Sequence, residues 1–285
     1  MQLYAYDPNS QLVAAHQAQQ QIDYFCLECQ CPVRKRSGPH RQAHFYHFRP
    51  SSECRQSGKG MAHLEAQLLL HRMLPPNEAT LEQRFPEISR IADLAWQKKK
   101  IVFEIQCSAT TATEVQNRNL DYRSLGYQVV WILHDKQYNK QRLSSVEHLL
   151  CRSPHYFTNI NAFGEGIFYD QLVLWFKGTR LCDLPMLPVD LSQPKSLSLP
   201  FSSLKSFPFL TEQRLCWPIH FSGDLADAFA SPDFLNTSIY HTLQEMSNRL
   251  MMEQPCHSPI FSRLKKAVTT PYHLLFQLLL EKACR

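Results

Sequence analysis

Apolar and polar residues alternate most clearly between residues 90 and 108. The sequence there reads RIADLAWQ, then KKK, then IVFEIQCS, so two alternating segments flank a lysine-rich turn. This pattern predicts a β-hairpin. In its second strand the isoleucines and Phe103 would face a core, while Glu104 and Gln106 would share the opposite face.

The segments around the hairpin follow helical and strand patterns. Leucines at helical spacing predict a helix over 61–74, which two prolines end. A second helix is predicted over 112–125, ended by Gly126, and the apolar run at 128–134 predicts a buried strand. The order helix, strand, strand, helix, strand indicates an α/β sandwich with a mixed sheet.

The pattern weakens towards the C-terminus. Residues 167–176 fit either a strand or a helix, and the segment 183–210 is rich in Pro, Ser and Leu, which is typical of a linker or an extended wrapping segment. Helices are predicted at 238–253 and 271–285. The sequence after residue 180 suggests no chemistry.

Length and composition set the domain organisation. The chain has 285 residues, of which 44% are apolar, enough for one or two domains and a small module. We divide it into a predicted zinc-binding module at 1–58, an α/β domain at 59–180, and a mostly helical C-terminal region at 181–285 that begins with a linker.

Positive charge is concentrated near the N-terminus, although the net charge is only +5. Between residues 31 and 60 the only acid is Glu53, and the basic residues are Arg34, Lys35, Arg36, Arg41, Arg49, Arg55 and Lys59. Such a patch favours a polyanionic partner, and the alternative is a solvated loop. Aromatic residues interleaved in PHRQAHFYHFRP would suit stacking on bases.

The residues predicted to contact DNA fall in three places. The first is the basic patch, the second is the lysine-rich hairpin tip, and the third is the second helix. They are Arg34, Lys35, Arg36, Arg41, Lys98, Lys99, Lys100 and Arg118. A hydrated hairpin tip is the simpler interpretation of the three lysines.

Targeting signals are not evident. The chain begins MQLYAYDPNS, without a basic segment followed by an apolar one, and no run of eighteen apolar residues occurs. Ten cysteines without a secretory signal favour reduced thiols. We therefore expect a cytoplasmic protein with no membrane span.

Two pairs of cysteine and histidine predict a structural zinc site near the N-terminus. The candidate ligands are Cys26, Cys29, His44 and His47, in the pattern C-x2-C-x14-H-x2-H. Thiolate and imidazole are the ligands that tetrahedral Zn²⁺ prefers, and such a metal would contribute on the order of 10 kcal/mol to folding. Cys31 and Cys54 are spare thiols that could replace one ligand. The alternative is buried cysteines beside ordinary polar histidines.

Two carboxylates in the hairpin suggest a second metal site. Asp93 on the first strand and Glu104 on the second would lie near each other. Such a pair is costly for stability and useful for holding a divalent metal at a phosphate. The alternative is that both are ordinary polar strand residues.

The combination of these motifs resembles the CoiA family of bacterial competence proteins. The resemblance covers roughly residues 20–135. The matching residues are Cys26, Cys29, His44, Phe45, His47 and His63, then Arg90–Asp93, Glu104–Ser108, Arg118, Tyr122, Gly126 and Trp131–Leu133.

The resemblance implies a restriction-endonuclease-like PD-(D/E)xK fold and a role in processing incoming DNA between uptake and strand exchange by the RecA recombinase. It implies that Asp93 and Glu104 hold Mg²⁺, that Gln106 stands where the generic motif has lysine, and that Glu65 or His63 assists. Family members tend to carry a lysine four residues after the helix histidine, where this chain has Gln67.

Three functions remain open at this point. The first is a Mg²⁺-dependent deoxyribonuclease, with single-stranded DNA as the expected partner. The second is a catalytically weak or inactive accessory protein that binds single-stranded nucleic acid. The third is a zinc-dependent regulator that does not cleave.

Overall fold

The computed structural model describes residues 1–39, 41–49, 54–150, 155–171, 173–176, 179–180, 186–192 and 219–220, together with His241 and Glu245. The described residues form a small N-terminal sheet, a large central sheet with helices on both faces, and a short third sheet.

The N-terminal sheet has five short strands in the order β2-β1-β3-β4-β5. The strands are β1 (Tyr4–Tyr6), β2 (Leu12–Ala14), β3 (Asp23–Phe25), β4 (Pro32–Gly38) and β5 (Arg41–His47). A bridge between Gln2 and Phe45 brings β5 back to the segment that precedes β1. The core is small, with Tyr24, Val33 and Phe45 as its larger members, so additional cross-links would stabilise it.

The elements after residue 58 follow in chain order. They are α1 (Met61–Met73), β6 (Ala79–Phe85), β7 (Arg90–Trp96), β8 (Ile101–Gln106), α2 (Ala112–Ser124), β9 (Gln128–His134), α3 (Ser145–Leu150), β10 (His155–Thr158), β11 (Phe168–Asp170), β12 (Val173–Phe176), β13 (Thr179–Arg180), β14 (Leu187–Pro188) and β15 (Ile219–His220).

The central sheet has the order β14-β11-β10-β9-β8-β7-β6. Strands β6, β7 and β8 are antiparallel to their neighbours. Strands β8, β9 and β10 are parallel, and α2 and α3 connect them. Helix α1 packs Leu64 and Leu70 on one face of the sheet, against residues such as Phe103. Helices α2 and α3 cover the other face, where Tyr122 lies in the same apolar cluster as Trp131. The arrangement is the predicted mixed α/β sandwich.

Most elements predicted from the sequence are confirmed. The hairpin, both helices and the strand at 128–134 lie within a residue or two of their predicted bounds, and 167–176 forms two strands. No element was predicted between α1 and the hairpin, where the structure forms the edge strand β6.

The expected mostly helical C-terminal region is not supported. After residue 181 the structure describes strands at 187–188 and 219–220 and helical backbone only at His241 and Glu245. The segment 187–188 pairs with β11, so this part of the expected linker belongs to the central sheet. The predicted helix at 271–285, and all but two residues of that at 238–253, lie outside the described residues.

A buried carboxylate joins the N-terminal segment to the central sheet. Glu82 on β6 accepts the backbone N–H groups of Leu3 at 2.9 Å and Tyr4 at 3.0 Å. Its backbone adopts the left-handed region, with φ of 48°. Leu3 also packs into the core under α1. The two sheets are therefore in direct contact through polar and apolar groups.

In the part of the chain that the structure describes, no helix has the length and apolarity needed to cross a bilayer.

Candidate nuclease-like cleft and zinc site

A cleft of about 310 Å³ opens where β8 ends and the chain turns towards α2. Its lining includes Lys59, His63, Asp93, Gln106, Cys107 and Arg118. The side chains come from the start of α1, from β7 and β8, and from α2, so the cleft lies where both helical layers meet the sheet.

Asp93 is the carboxylate at the floor of the cleft, and it is almost fully buried. The paired residues of β7 and β8 run from Trp96 and Ile101 to Leu94 and Phe103. Beyond this pair, the Ile105 N–H donates to the Asp93 side chain, at 2.7 Å from Oδ2, rather than to the backbone of β7. The side chain thus completes the sheet where the backbone ladder stops.

Two basic groups face the other oxygen of Asp93. Oδ1 lies 2.7 Å from Nζ of Lys59 and 3.1 Å from Nε2 of His63. Burial favours the protonated acid, but the positive charges of His63, when it is protonated, and of Lys59 outweigh burial and lower the pKa of Asp93. Asp93 is therefore held ionised. Burial lowers the pKa of His63, which favours its neutral form.

Sequence reasoning counted Lys59 only as part of the basic patch. Its side chain is 10% exposed, and its Nζ also lies 3.9 Å from Oε1 of Glu82. Burial alone would lower the pKa of Lys59, but the carboxylates of Asp93 and Glu82 raise it. A signal was present: the motif positions Gln106 and Gln67 lack a lysine, and Lys59 stands four residues before His63 in the sequence.

Glu104 faces α2 rather than the cleft. Its Oε2 accepts Nη1 of Arg118 at 2.6 Å, and its Oε1 accepts the hydroxyl of Tyr122 at 2.7 Å. Glu104 is 1% exposed, and burial raises its pKa, while Arg118 opposes that rise. Arg118 also donates to Glu114 at 3.0 Å. Arg118, predicted as a phosphate contact, is thus already engaged by two carboxylates.

Three buried carboxylates occupy facing positions on neighbouring strands. The register of β6 with β7 places Glu82 opposite Asp93, and the register of β7 with β8, continued by one position, places Asp93 opposite Glu104. We call Glu82, Asp93 and Glu104 the acid row. Facing residues have Cα atoms about 5 Å apart, so the hairpin brings Asp93 and Glu104 together as expected.

The acid row does not fit a magnesium ion shared by Asp93 and Glu104 in this arrangement. All four oxygens of the two carboxylates already have donors or cations within 3.1 Å. Glu104 is also turned away from the cleft. The physical reason is that two cationic side chains, Lys59 and Arg118, already compensate the buried charge that a divalent ion would neutralise.

Two other residues predicted to assist catalysis are placed differently from expectation. Gln106 lines the cleft, but its Nε2 donates to the Ser108 carbonyl at 2.7 Å, which holds it against its own turn. Glu65 does not line the cleft; its carboxylate lies beside Gly164. In α1, Gln67 supports the site instead, because its Nε2 donates to the Asp93 carbonyl at 2.9 Å.

The hairpin tip lies at the opposite end of β8 from the cleft. Lys98 pairs with Glu78 at 2.7 Å, Lys99 lies over the ring of Trp96, and Lys100 lies over the ring of Tyr127. At about 3.3 Å per residue, the six residues of β8 separate the tip from the cleft by roughly 17–20 Å. These lysines therefore do not serve a phosphate held in the cleft.

Four cysteine and histidine side chains form a compact cluster in the N-terminal sheet. We call Cys26, Cys29, His47 and Cys54 the zinc cluster; their ligand atoms all lie within 4.8 Å of one another. Sγ of Cys26 is 3.6 Å from Sγ of Cys54, and Sγ of Cys29 is 3.2 Å from Nε2 of His47. A tetrahedron with Zn–S bonds near 2.3 Å has edges of about 3.8 Å. The donor set therefore fits a structural zinc.

His44 lies outside this cluster, and Cys54 takes its expected place. His44 and His47 are three residues apart on β5, so the alternation of a strand points them to opposite faces. The His44 side chain is buried, and its Nδ1 lies 2.8 Å from the Gln42 carbonyl oxygen. On a strand, the H-x2-H spacing therefore cannot direct both histidines to one metal.

The face of β4 and β5 that carries His44 also carries a ribbon of stacked cations and rings. Arg34 lies over Phe48 at 4.8 Å, and Arg36 lies over Tyr46 at 4.7 Å. We call these four residues the guanidinium–aromatic ribbon. The zinc cluster and the core take the other face, which His47 and Phe45 share.

The other two patch residues predicted to contact DNA, Lys35 and Arg41, are placed differently. Lys35 is turned to the inner side of the sheet, where its Nζ donates to the Ala18 carbonyl at 2.6 Å. Arg41 is exposed at the start of β5. Of the four patch residues expected to contact DNA, only Arg34 and Arg36 therefore belong to the ribbon.

The helix α1, the strands β6–β8, the helix α2 and the strand β9, with the acid row at their centre, define a nuclease-like α/β domain. A family model described as "Competence protein CoiA, nuclease-like domain" matches residues 59–163. The match confirms the predicted resemblance to the CoiA family over residues 59–163. Neither the curated proteins nor the solved structures include a match to the chain.

Proposed function

We propose that the protein binds single-stranded nucleic acid during natural competence, with the guanidinium–aromatic ribbon as its contact surface. The observation that carries this proposal is the stacking of Arg34 on Phe48 and of Arg36 on Tyr46 along one face of β4 and β5. Rings that present a face to bases, beside cations that meet phosphates, are the recurring means of binding single strands.

The spacing and charge of the ribbon support this proposal. Tyr46 and Phe48 are two residues apart, about 6.6 Å along an extended chain, so they can take neighbouring bases of an extended strand. Arg34 pairs with Asp23 at 2.6 Å, and both side chains are about half exposed. Such a surface ion pair is worth at most about 1 kcal/mol, so Arg34 can exchange Asp23 for a phosphate.

Phe48→Ala tests the proposal, because it removes one stacking platform. We expect a loss of about 1–3 kcal/mol, or roughly 5- to 150-fold, in affinity for a labelled oligothymidine measured by fluorescence anisotropy. Phe163→Ala is the matched control, since Phe163 is a more exposed phenylalanine (77% against 57%) on another part of the surface. Equal losses in the two variants would refute the ribbon as the contact surface.

Mg²⁺-dependent hydrolysis of DNA is the second candidate function. The match to the CoiA nuclease-like domain and the facing positions of Asp93 and Glu104 favour it. It would require Lys59 and Arg118 to leave these carboxylates. We expect wild-type protein to cleave single- or double-stranded DNA no faster than Asp93→Ala does. Cleavage that is lost in Asp93→Ala would establish hydrolysis instead.

We place single-strand binding by the ribbon in the cytoplasm, between DNA uptake and strand exchange by a RecA-type recombinase. The competence family supports that place. A host carrying Phe48→Ala is expected to take up DNA normally and to yield fewer transformants. An undiminished transformation frequency would remove the ribbon from this pathway.

A further inference from the structure

The acid row places three carboxylates side by side in the interior, each no more than 4% exposed. Like charges in neighbouring strand positions repel one another, and burial makes the ionised forms costly. In metal-dependent sites a divalent ion compensates such a group of acids. In this chain a side chain lies at the middle of the row.

We propose that Lys59 is a built-in counter-ion that takes the position a divalent cation would need in the acid row. Its Nζ is 2.7 Å from Oδ1 of Asp93 and 3.9 Å from Oε1 of Glu82. Asp93 is the central member of the row, so the ammonium of Lys59 contacts the carboxylate that lies between Glu82 and Glu104. The inference rests on the proposed function, because it explains how a protein with a nuclease-like domain can bind nucleic acid through the ribbon without cleaving it.

The chain holds Lys59 in place from both sides. Five residues before it, Cys54 belongs to the zinc cluster, and two residues after it, Met61 begins α1. The side chain is 10% exposed, and the neighbouring charges favour its protonated form. A charge fixed in this way needs no reorganisation to compensate the row, in contrast to a lysine at the end of a mobile loop.

The same ammonium excludes a metal ion by competition. A divalent ion bound to Oδ1 of Asp93 would contact the same oxygen as Nζ of Lys59. Two cations bound to one oxygen in a buried site repel each other strongly. The other side of the row offers no alternative, because Arg118 and Tyr122 occupy both oxygens of Glu104. Removal of the Lys59 charge should therefore turn the cleft into a divalent-cation site.

The test measures Mn²⁺ binding by the full, zinc-loaded chain with electron paramagnetic resonance. Lys59→Met keeps the aliphatic length and removes the charge. We expect it to bind Mn²⁺ at least about tenfold more tightly than the wild type, and Asp93→Asn in the Lys59→Met background to abolish that gain. Lys98→Met is the matched control, because it removes a lysine that pairs with Glu78 far from the cleft.

Two results would overturn the proposal. One is a Lys59→Met protein with no gain in Mn²⁺ affinity, or with a gain that survives Asp93→Asn. The other needs no Lys59 variant and applies even if Lys59→Met does not fold: wild-type protein that binds Mn²⁺ at a site lost in Asp93→Asn would show that the row accepts a metal beside Lys59. Anisotropy with the ribbon variants is measured separately, so failure of single-strand binding is distinguishable from failure of the counter-ion assignment.

Discussion

Replacement of Arg118 by glutamine tests the electrostatic description of the acid row. In the native structure Arg118 compensates Glu104 at 2.6 Å, and the Glu104 side chain is 2% exposed. Arg118→Gln leaves that carboxylate buried with Tyr122 as its remaining donor. Removal of one member of a buried pair costs about 3–5 kcal/mol, and the whole stability of a typical domain is only about 5–15 kcal/mol.

Arg90→Gln provides the comparison for this substitution. Arg90 also pairs with two acids of α2, Glu114 at 2.7 Å and Asp121 at 2.8 Å, but those carboxylates are about one third exposed. Water can solvate them once the guanidinium is gone, so we expect a cost of about 1 kcal/mol. The free energy of unfolding is measured by urea titration of zinc-loaded protein, followed by tryptophan fluorescence.

Acid should reduce the cost of Arg118→Gln. Burial raises the pKa of Glu104, so the folded protein takes up this proton at a higher pH than the unfolded chain does. The penalty of the uncompensated charge is full above the folded pKa and falls as the pH drops through it. Glu104→Gln added to Arg118→Gln should likewise recover part of the loss. Equal costs for Arg118→Gln and Arg90→Gln, independent of pH, would refute the reasoning.

The remaining predictions concern the zinc cluster, one histidine and two glycines. Purified protein should contain one zinc per chain by elemental analysis. Cys54→Ala should lose the zinc and His44→Gln should retain it, since Cys54 belongs to the zinc cluster and His44 does not. Burial lowers the pKa of His63, so stability should fall as the pH drops below the unfolded value of about 6.5, and His63→Gln should flatten that part of the urea-stability profile. Gly166→Ala should cost at least about 2 kcal/mol by thermal unfolding, because its φ is +132° and an added Cβ would lie 2.7 Å from Cα of Ile160. Gly126→Ala, with φ of +77° and open space around it, should cost only about 1 kcal/mol.

Local patterns were sufficient for the elements that pack on the central sheet. Alternation predicted β7 and β8, and helical spacing predicted α1 and α2, because burial on one face leaves a period in the sequence. The edge strand β6 was missed because its sequence, ATLEQRF, carries three polar residues in succession. Glu82, the first residue of that run, is buried, and its carboxylate accepts the N–H groups of Leu3 and Tyr4, which local sequence does not indicate.

The partners of the site residues were beyond sequence reasoning. The spacing of Asp93 and Glu104 predicted that they face each other, but the cations that compensate them come from 34 residues before Asp93 and 14 residues after Glu104. The zinc ligands were predicted only in part for a related reason. His44 and His47 were expected to bind the metal together, but they lie on opposite faces of β5, and Cys54, one of the two spare thiols, completes the cluster.

The bonds from Glu82 to Leu3 and Tyr4 have a practical consequence for work with fragments. A piece that begins at Lys59 would keep every residue of the family match and would still strip a deeply buried acid of both its amide donors. It would also free the residue that compensates Asp93 from its upstream anchor. Such a truncated protein would differ from the intact chain in the charges and hydrogen bonds around Glu82 and Asp93. Its inactivity or aggregation would therefore say nothing about the intact chain.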